Sequence, residues 1–127
     1  MSDINNQENR TRNQLYTQLV GEQLSEVAFV QDYLELHFDG PKLTCYVSPM
    51  LQVRAETVRH FDDRYRNLLC GYIAQVVYAI DYVESQHLTI IFANGDSIRL
   101  NLDPSNPEIV AEIGIFWDAD GGMWIFD

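Results

Sequence analysis

The sequence predicts an α+β fold in which two α-β-β-β repeats form one mainly antiparallel sheet or a partly open barrel, with short helices and a C-terminal β-hairpin. Residues 15–49 and 65–104 follow the same order: a short helical pattern, a glycine, and three strand-like runs that end in proline. Within those runs apolar and polar residues alternate, which is typical of antiparallel strands that bury one face. Because a three-stranded unit cannot cover its own apolar face, we expect the two copies to pack together.

The two copies match segment by segment. The corresponding segments are Leu19–Gly21 with Leu69–Gly71, Leu34–Phe38 with Leu88–Phe92, and Leu43–Pro49 with Ile98–Pro104. Repeat one therefore covers about 11–50, repeat two about 61–104, and a C-terminal helix and hairpin 105–127. We expect residues 11–127 to form a single domain, and residues 1–10 to form a flexible N-terminal tail because they are polar and lack periodicity.

Each repeat begins with a helical pattern that a glycine ends. Leu15 and Leu19 share one helix face before Gly21, and a second set of apolar residues precedes Gly71. That second set is Phe61, Tyr65, Leu68 and Leu69. Residues 50–60 fit either a strand or the start of the second helix. Pro107 is placed as the first residue of a further short helix that runs to Ile113.

The alternating strands predict the core and the hairpin registers. The expected core positions are Leu34, Leu36, Phe38, Cys45, Val47, Leu88, Ile90, Phe92, Leu100 and Leu102. Because residues that lie opposite each other in a hairpin share a face, we expect Phe38 opposite Leu43, with residues 39–42 as the loop. The same argument places Phe92 opposite Ile98, across either a three-residue loop, 94–96, or an adjacent bulge.

The composition disfavours several classes of partner. The formal net charge is −11, from 19 acidic and 8 basic residues, which disfavours nucleic acids and anionic membranes and permits attraction to a basic partner. A solvated surface explains the same charge. Cys45 and Cys70 lie among apolar neighbours, as expected of buried, reduced thiols. The first residues lack an apolar leader and no run is long enough to span a membrane, so we expect a cytoplasmic protein.

Three side chains form a candidate ligand site. Glu35, His37 and Tyr46 share the polar face of the first repeat, and a carboxylate, an imidazole and a phenol together are capable of acid–base chemistry. An ordinary solvent-exposed strand face explains the same pattern. No histidine pair has metal-ligand spacing and no nucleotide-binding or nucleophile motif occurs, so we expect no metal and no cofactor, and catalysis is disfavoured.

The C-terminal hairpin is unusually aromatic. Phe116, Trp117, Trp124 and Phe126 occupy both of its faces, around a turn at 118–122. If one face is exposed, these residues form a protein interface; if the hairpin is covered on both sides, they belong to the core. Both readings remain open at this point.

The repeated pattern resembles a bacterial family of small β-rich domains of unknown function. The residues that carry the resemblance are Gly21, Leu34–Gly40, Pro49, Gly71, Leu88–Gly95 and Pro104. The resemblance implies a fold rather than an activity, and small acidic domains of this kind are similar to immunity proteins by analogy.

The sequence therefore predicts a non-enzymatic cytoplasmic protein-interaction domain, immunity-like or regulatory, that presents an acidic surface to a protein partner. The alternatives are a small-molecule-binding domain or minor enzyme with a site near His37, and a structural homo-oligomer.

Overall fold

Two helices and ten strands make up residues 3–127, the part of the chain that the computed structural model describes. They are α1 (Asp3–Leu19), β1 (Leu24–Val30), β2 (Tyr33–Phe38), β3 (Lys42–Cys45), β4 (Met50–Val53), β5 (Glu56–Val58), α2 (Tyr65–Cys70), β6 (Val77–Val83), β7 (His87–Phe92), β8 (Ser97–Asn101), β9 (Gly114–Trp117) and β10 (Met123–Phe126). The predicted α+β class is confirmed. The strands form two antiparallel sheets, however, rather than one sheet or a partly open barrel.

Each sheet combines a three-stranded meander with a hairpin from the other half of the chain. Sheet 1 has the order β1-β2-β3-β9-β10, and sheet 2 has the order β5-β4-β8-β7-β6. The hairpin that follows β3 thus joins β8, and the hairpin that follows β8 joins β3. An isolated bridge between Gln23 and Val76 links the two sheets where β1 and β6 begin.

The register of the first hairpin differs from the prediction by two residues. Leu43 lies opposite Leu36 instead of Phe38, and the amide of Phe38 donates to the carbonyl of Pro41 at 2.9 Å. Gly40, with φ of +108°, permits this tighter turn, because glycine adopts positive φ without a steric penalty. A shift of two residues keeps every side chain on its predicted face.

The register of the second hairpin is also shifted, although its predicted three-residue loop is confirmed in length. Phe92 donates its amide to the carbonyl of Asp96 at 2.9 Å, so the loop is 93–95, and Ile98 lies opposite Ile90. Gly95 occupies the left-handed position of this loop. The apolar faces again coincide.

All ten predicted core residues are buried. They form one cluster with Leu15, Leu19 and Leu69 from the helices and with Leu51 and Phe116 from β4–β5 and β9–β10. We call these the exchanged hairpins, because each joins the meander of the other half of the chain. The core therefore lies between the inner faces of the two sheets and includes side chains from both halves of the chain.

The N-terminal helix is longer than the sequence predicts. Residues 3–10, expected as part of a flexible tail, belong to α1; residues 1 and 2 lie outside the described part. Contacts with β6 and the turn after it hold the helix. Arg12 donates to the carbonyl of Tyr82 at 2.9 Å, and the carboxylate of Glu8 accepts the amide of Glu84 at 2.8 Å. These tertiary contacts offset the weak helix propensity of an Asn-rich segment.

Residues 50–58 form a β-hairpin, which resolves the ambiguity between strand and helix. Arg54 and Ala55 have φ of 51° and 68°, as a two-residue turn with the strand twist requires. The helix α2 then starts only at Tyr65, so Phe61 lies outside it and is 76% exposed.

The predicted helix from Pro107 to Ile113 is wrong, because side-chain hydrogen bonds favour turns there. Asn106 donates to the carbonyl of Asn101 at 3.0 Å and accepts the amide of Glu108 at 3.1 Å. Such bonds give the backbone an alternative to the helix. The C-terminal hairpin is confirmed as β9 and β10.

The two cysteines differ in exposure. Cys45 is buried, as expected, and burial raises the pKa of its thiol well above the usual value; Cys70 is exposed at the end of α2, contrary to expectation. Among the helices of residues 3–127, none has the length and apolar character needed to cross a bilayer.

Candidate functional site

The outer face of sheet 1 carries most of the side chains singled out in the sequence. We use this name for the sheet surface that faces away from the core. One row across its five strands consists of Glu26, His37, Lys42, Trp117 and Met123. The neighbouring row consists of Ala28, Glu35, Thr44, Ile115 and Ile125. The face is thus charged near β1 and β2 and apolar near β9 and β10.

A chain of hydrogen bonds crosses three strands of this face. The indole Nε1 of Trp117 donates to the hydroxyl of Thr44 at 3.0 Å, and that hydroxyl donates to Oε2 of Glu35 at 3.1 Å. The other oxygen of Glu35 lies 3.0 Å from Nε2 of His37. Because Thr44 is only 3% exposed, its hydroxyl is a fixed link between the tryptophan and the carboxylate.

Lys42 lies beside the carboxylate and the indole of this chain. Its ammonium is 3.5 Å from Oε2 of Glu35 and 5.2 Å from the centre of the Trp117 ring, where it interacts with the π face. The carboxylate and the ring therefore share one cation. These contacts hold the indole in a defined orientation at the surface.

Opposing effects act on the pKa of Glu35. Partial burial works to raise it, but the hydrogen bonds from His37 and Thr44 and the charge of Lys42 together outweigh burial and hold the pKa below its usual value. Glu35 is consequently ionised at neutral pH and carries a fixed negative charge on this face.

The predicted ligand trio is brought together only in part. Glu35 and His37 are in contact, whereas Tyr46 lies in the next row and packs against Tyr33, with ring centres 5.6 Å apart. A cavity of about 240 Å³ includes Tyr46 and Tyr33 but neither Glu35 nor His37. The three side chains thus do not line one pocket.

The four C-terminal aromatic residues divide between the two faces of the hairpin. Phe116 and Phe126 are buried, at 0% and 6% exposure, and Trp124 packs on Phe116 with ring centres 5.8 Å apart. Trp117 alone lies on the outer face of sheet 1. The buried face of the hairpin therefore belongs to the core, and Trp117 is half-buried on its other face.

The remaining apolar side chains of this face were not singled out from the sequence. Met123 and Ile125 on β10 are 51% and 47% exposed, and Ile115 lies beside them on β9. Strand alternation starting from Trp117 would have placed Ile115 on its face. The pairing of β9 with β3, which brings them beside Thr44 and Lys42, leaves no signal in the sequence.

An acidic edge borders the apolar end of this face. The loop at 39–40 touches the loop at 118–122, since a Cβ on Gly40 would lie 3.0 Å from that of Ala119. These two loops carry Asp39, Asp118 and Asp120. Three carboxylates therefore lie at the end of the strands that carry Trp117 and Met123.

Within residues 3–127, no group of three or more His, Cys, Asp or Glu side chains is arranged to hold a metal ion. Comparison with models of protein families, with curated protein sequences and with solved structures gave no significant match.

Proposed function

We propose that this chain is a non-enzymatic protein-interaction domain, immunity-like or regulatory, that binds a basic protein partner through the outer face of sheet 1. The observation that supports it is the pairing of half-buried Trp117 and of exposed Met123 and Ile125 with the acidic edge at Asp118 and Asp120. An apolar centre with a charged rim is the usual anatomy of a protein interface.

The orientation of Trp117 supports this proposal. Tryptophan is enriched among the residues that dominate binding energy at interfaces. Here the hydrogen bond to Thr44 and the contact with Lys42 already fix the indole, so little side-chain entropy is lost when a partner covers it.

The charge of the chain selects the partner. A net charge of −11 attracts a basic protein over long distances and accelerates encounter. The proposal places the protein in the cytoplasm, where the free thiols of Cys45 and Cys70 remain reduced.

The test compares the face with an exposed apolar residue elsewhere. The immobilised protein is incubated with native lysate at low salt, retained proteins are identified and purified, and association with each is timed. We expect Trp117→Ser and Ile125→Ser to weaken binding by tenfold or more, while Val110→Ser, at a side chain that is 96% exposed, leaves it unchanged. We also expect the association rate to fall steeply when the salt concentration is raised from about 0.05 M to about 0.5 M.

Equal binding by all three variants, or an association rate that does not depend on salt, would refute the proposal. A partner that is acidic rather than basic would refute the electrostatic part of it.

Self-association is the second candidate function. β10 is an edge strand of sheet 1, and its exposed side chains include Met123 and Ile125. Edge strands with apolar side chains pair readily with other chains. Light scattering after size exclusion separates the two candidates, because a dimer that Ile125→Ser dissociates favours self-association, whereas a monomer favours the basic partner.

We further propose that the two halves of the chain arose by duplication of an α-plus-five-strand unit. The equal strand order of the two sheets supports this, as do the bulges at matching positions, after Leu24 in β1 and after Val77 in β6. Superposition of residues 15–58 on 65–126 tests the proposal, and backbones that diverge within the meanders would contradict it.

A further inference from the structure

The outer face of sheet 2 bears a cavity of about 740 Å³. Its floor is formed by side chains of adjacent strands, among them Met50 on β4, Arg99 on β8 and His87 on β7. Residues 59–61 and the segment after β8 form its walls. This volume is typical of pockets that hold small organic ligands.

Arginine and histidine side chains are concentrated in this cavity. Arg59, Arg99, His60 and His87 line it, which is two of the eight Lys and Arg residues and two of the three histidines in a chain with a net charge of −11. The two guanidinium groups are therefore the charged donors that an anion in this cavity would meet.

Arg99 is held in position and keeps free donors. Its Nε donates to the hydroxyl of Thr89 at 2.8 Å, and Thr89 is only 7% exposed. Among the described residues, neither Nη of Arg99 has a hydrogen-bond partner, and Arg99 and Arg59 form no ion pair. A fixed guanidinium with unused donors is suited to bidentate binding of a carboxylate or phosphate.

The acidic groups around the cavity are already engaged. Asp103 accepts the amide and the hydroxyl of Ser105 at 2.9 and 2.8 Å, and Glu108 accepts the amide of Ser48 at 3.2 Å. These carboxylates therefore stabilise the wall of the cavity, and within the described residues they form no ion pair with its arginines. A further carboxylate, that of Asp81, lies 3.0 Å from Nε2 of His87.

An apolar wall stands beside the cationic groups. Phe61 is 76% exposed and packs edge-on against His60, with ring centres 5.5 Å apart. Pro49, Met50 and Pro107 also line the cavity. A ligand that satisfied the arginines would thus place any attached ring against these apolar groups.

We propose that this cavity binds a small organic anion whose carboxylate or phosphate pairs with Arg99 and Arg59 and whose apolar ring packs against Phe61. The site lies on the other sheet from the proposed protein interface and is independent of it.

The test is a titration of the isotopically labelled full chain with phenyl phosphate, benzoate and inorganic phosphate, followed by amide NMR at constant ionic strength. We expect saturable shifts at cavity residues, and binding at least tenfold weaker in Arg99→Gln and in Arg59→Gln. The matched control is Arg10→Gln, which removes the same charge from an exposed position on α1 and should leave the affinity unchanged.

Each arm of the experiment decides one part of the proposal. Tighter binding of phenyl phosphate than of benzoate assigns the headgroup as phosphate, and the reverse assigns it as carboxylate. Phe61→Ala should weaken phenyl phosphate but leave inorganic phosphate unaffected. If Arg99→Gln unfolds, the exposed Arg59→Gln decides the outcome. Absence of saturable shifts with any probe, or equal weakening in Arg10→Gln, would overturn the proposal.

Discussion

The two sheets have the same strand order, yet their outer faces are chemically opposite. Each sheet is a meander extended by a hairpin from the other half, and both inner faces are aliphatic and aromatic. The outer face of sheet 1 carries half-buried Trp117 and exposed Ile125 beside an acidic edge, whereas the outer face of sheet 2 holds Arg99 in a cavity. Shared architecture thus determines the core, and the outer faces are free to diverge.

The length of one connection accounts for part of this difference. The segment between β3 and β4 comprises only residues 46–49, whereas the segment between β8 and β9 comprises 102–113 and contributes a wall of the cavity. Asn106 anchors the longer segment through its bond to the carbonyl of Asn101. Sheet 2 is therefore partly walled, and sheet 1 stays open.

The largest expected effect is the loss of stability when a core residue of either exchanged hairpin is truncated. The similarity of the two sheets fails if only one of these hairpins is needed for a stable fold. Phe116 and Leu51 occupy corresponding places, each opposite the third strand of a meander and each 0% exposed. We expect Phe116→Ala to lower the free energy of unfolding by about 3–5 kcal/mol and Leu51→Ala by about 2–5 kcal/mol. Urea denaturation measures both, with Val110→Ala as the control near zero. A cost near zero at either position would show that its hairpin contributes little.

A glycine in β9 makes the pairing of β9 with β3 sensitive to substitution. A Cβ on Gly114 would lie 2.7 Å from the carbonyl oxygen of Thr44, which is a backbone atom of the neighbouring strand. We expect Gly114→Ala to cost about 1–3 kcal/mol because β9 must move away from β3. Hydrogen exchange should show faster exchange at the amides between these strands, and unchanged protection would contradict the close approach.

The junctions of the two sheets use different polar links, which matched variants can compare. The hydroxyl of Tyr72 lies 2.8 Å from the carbonyl of Ser97 and 3.1 Å from that of Gln52, on the adjoining strands β8 and β4. In sheet 1, Trp117 donates to Thr44 instead. We expect Tyr72→Phe and Trp117→Phe each to cost about 0.5–1.5 kcal/mol. Tyr78→Phe, at a side chain that is 70% exposed, should have no measurable effect.

The smallest expected effect is the acid dependence of sheet 1. Since the pKa of Glu35 is lower in the folded protein than in the unfolded chain, the unfolded chain takes up a proton first as the pH falls. Glu35 therefore stabilises the folded protein at pH values above the pKa that it has in the unfolded chain. This contribution is lost as the pH falls through the folded pKa. Denaturation between pH 6 and pH 3, about the range of carboxylate titration, should show a shallower loss in Glu35→Gln than in the wild type. An equal loss in Glu35→Gln and in the wild type would contradict the pKa shift.

The inner faces could be predicted from the sequence because alternation alone determines them. Leu36 and Ile90 were placed correctly even though both hairpin registers were shifted, since a register error of two leaves the faces unchanged. Alternation does not specify which strand pairs with which, so the exchange of hairpins could not be predicted. The helical character of residues 3–10 depends on Tyr82 and Glu84, which are distant in the sequence.

The same limit applies to the candidate sites. Contacts within one strand can be predicted from the sequence, whereas contacts between strands cannot. The contact of Glu35 with His37 was predictable because residues two apart in a strand share a face. Thr44, Lys42 and Trp117 joined them only through the pairing of β2, β3 and β9. Arg59 and Arg99 likewise line one cavity only because the β4–β5 hairpin lies beside β8.

The exchange of hairpins has a consequence for synthesis of the chain. Leu43 in β3 pairs with Phe116 in β9, which the ribosome adds roughly seventy residues later. At a translation rate of about 5–20 residues per second, the edge of β3 stays unpaired for roughly 4–15 s. During that interval the edge of β3 is unpaired in the nascent chain. Another chain can therefore pair with it until the β9–β10 hairpin has been synthesised.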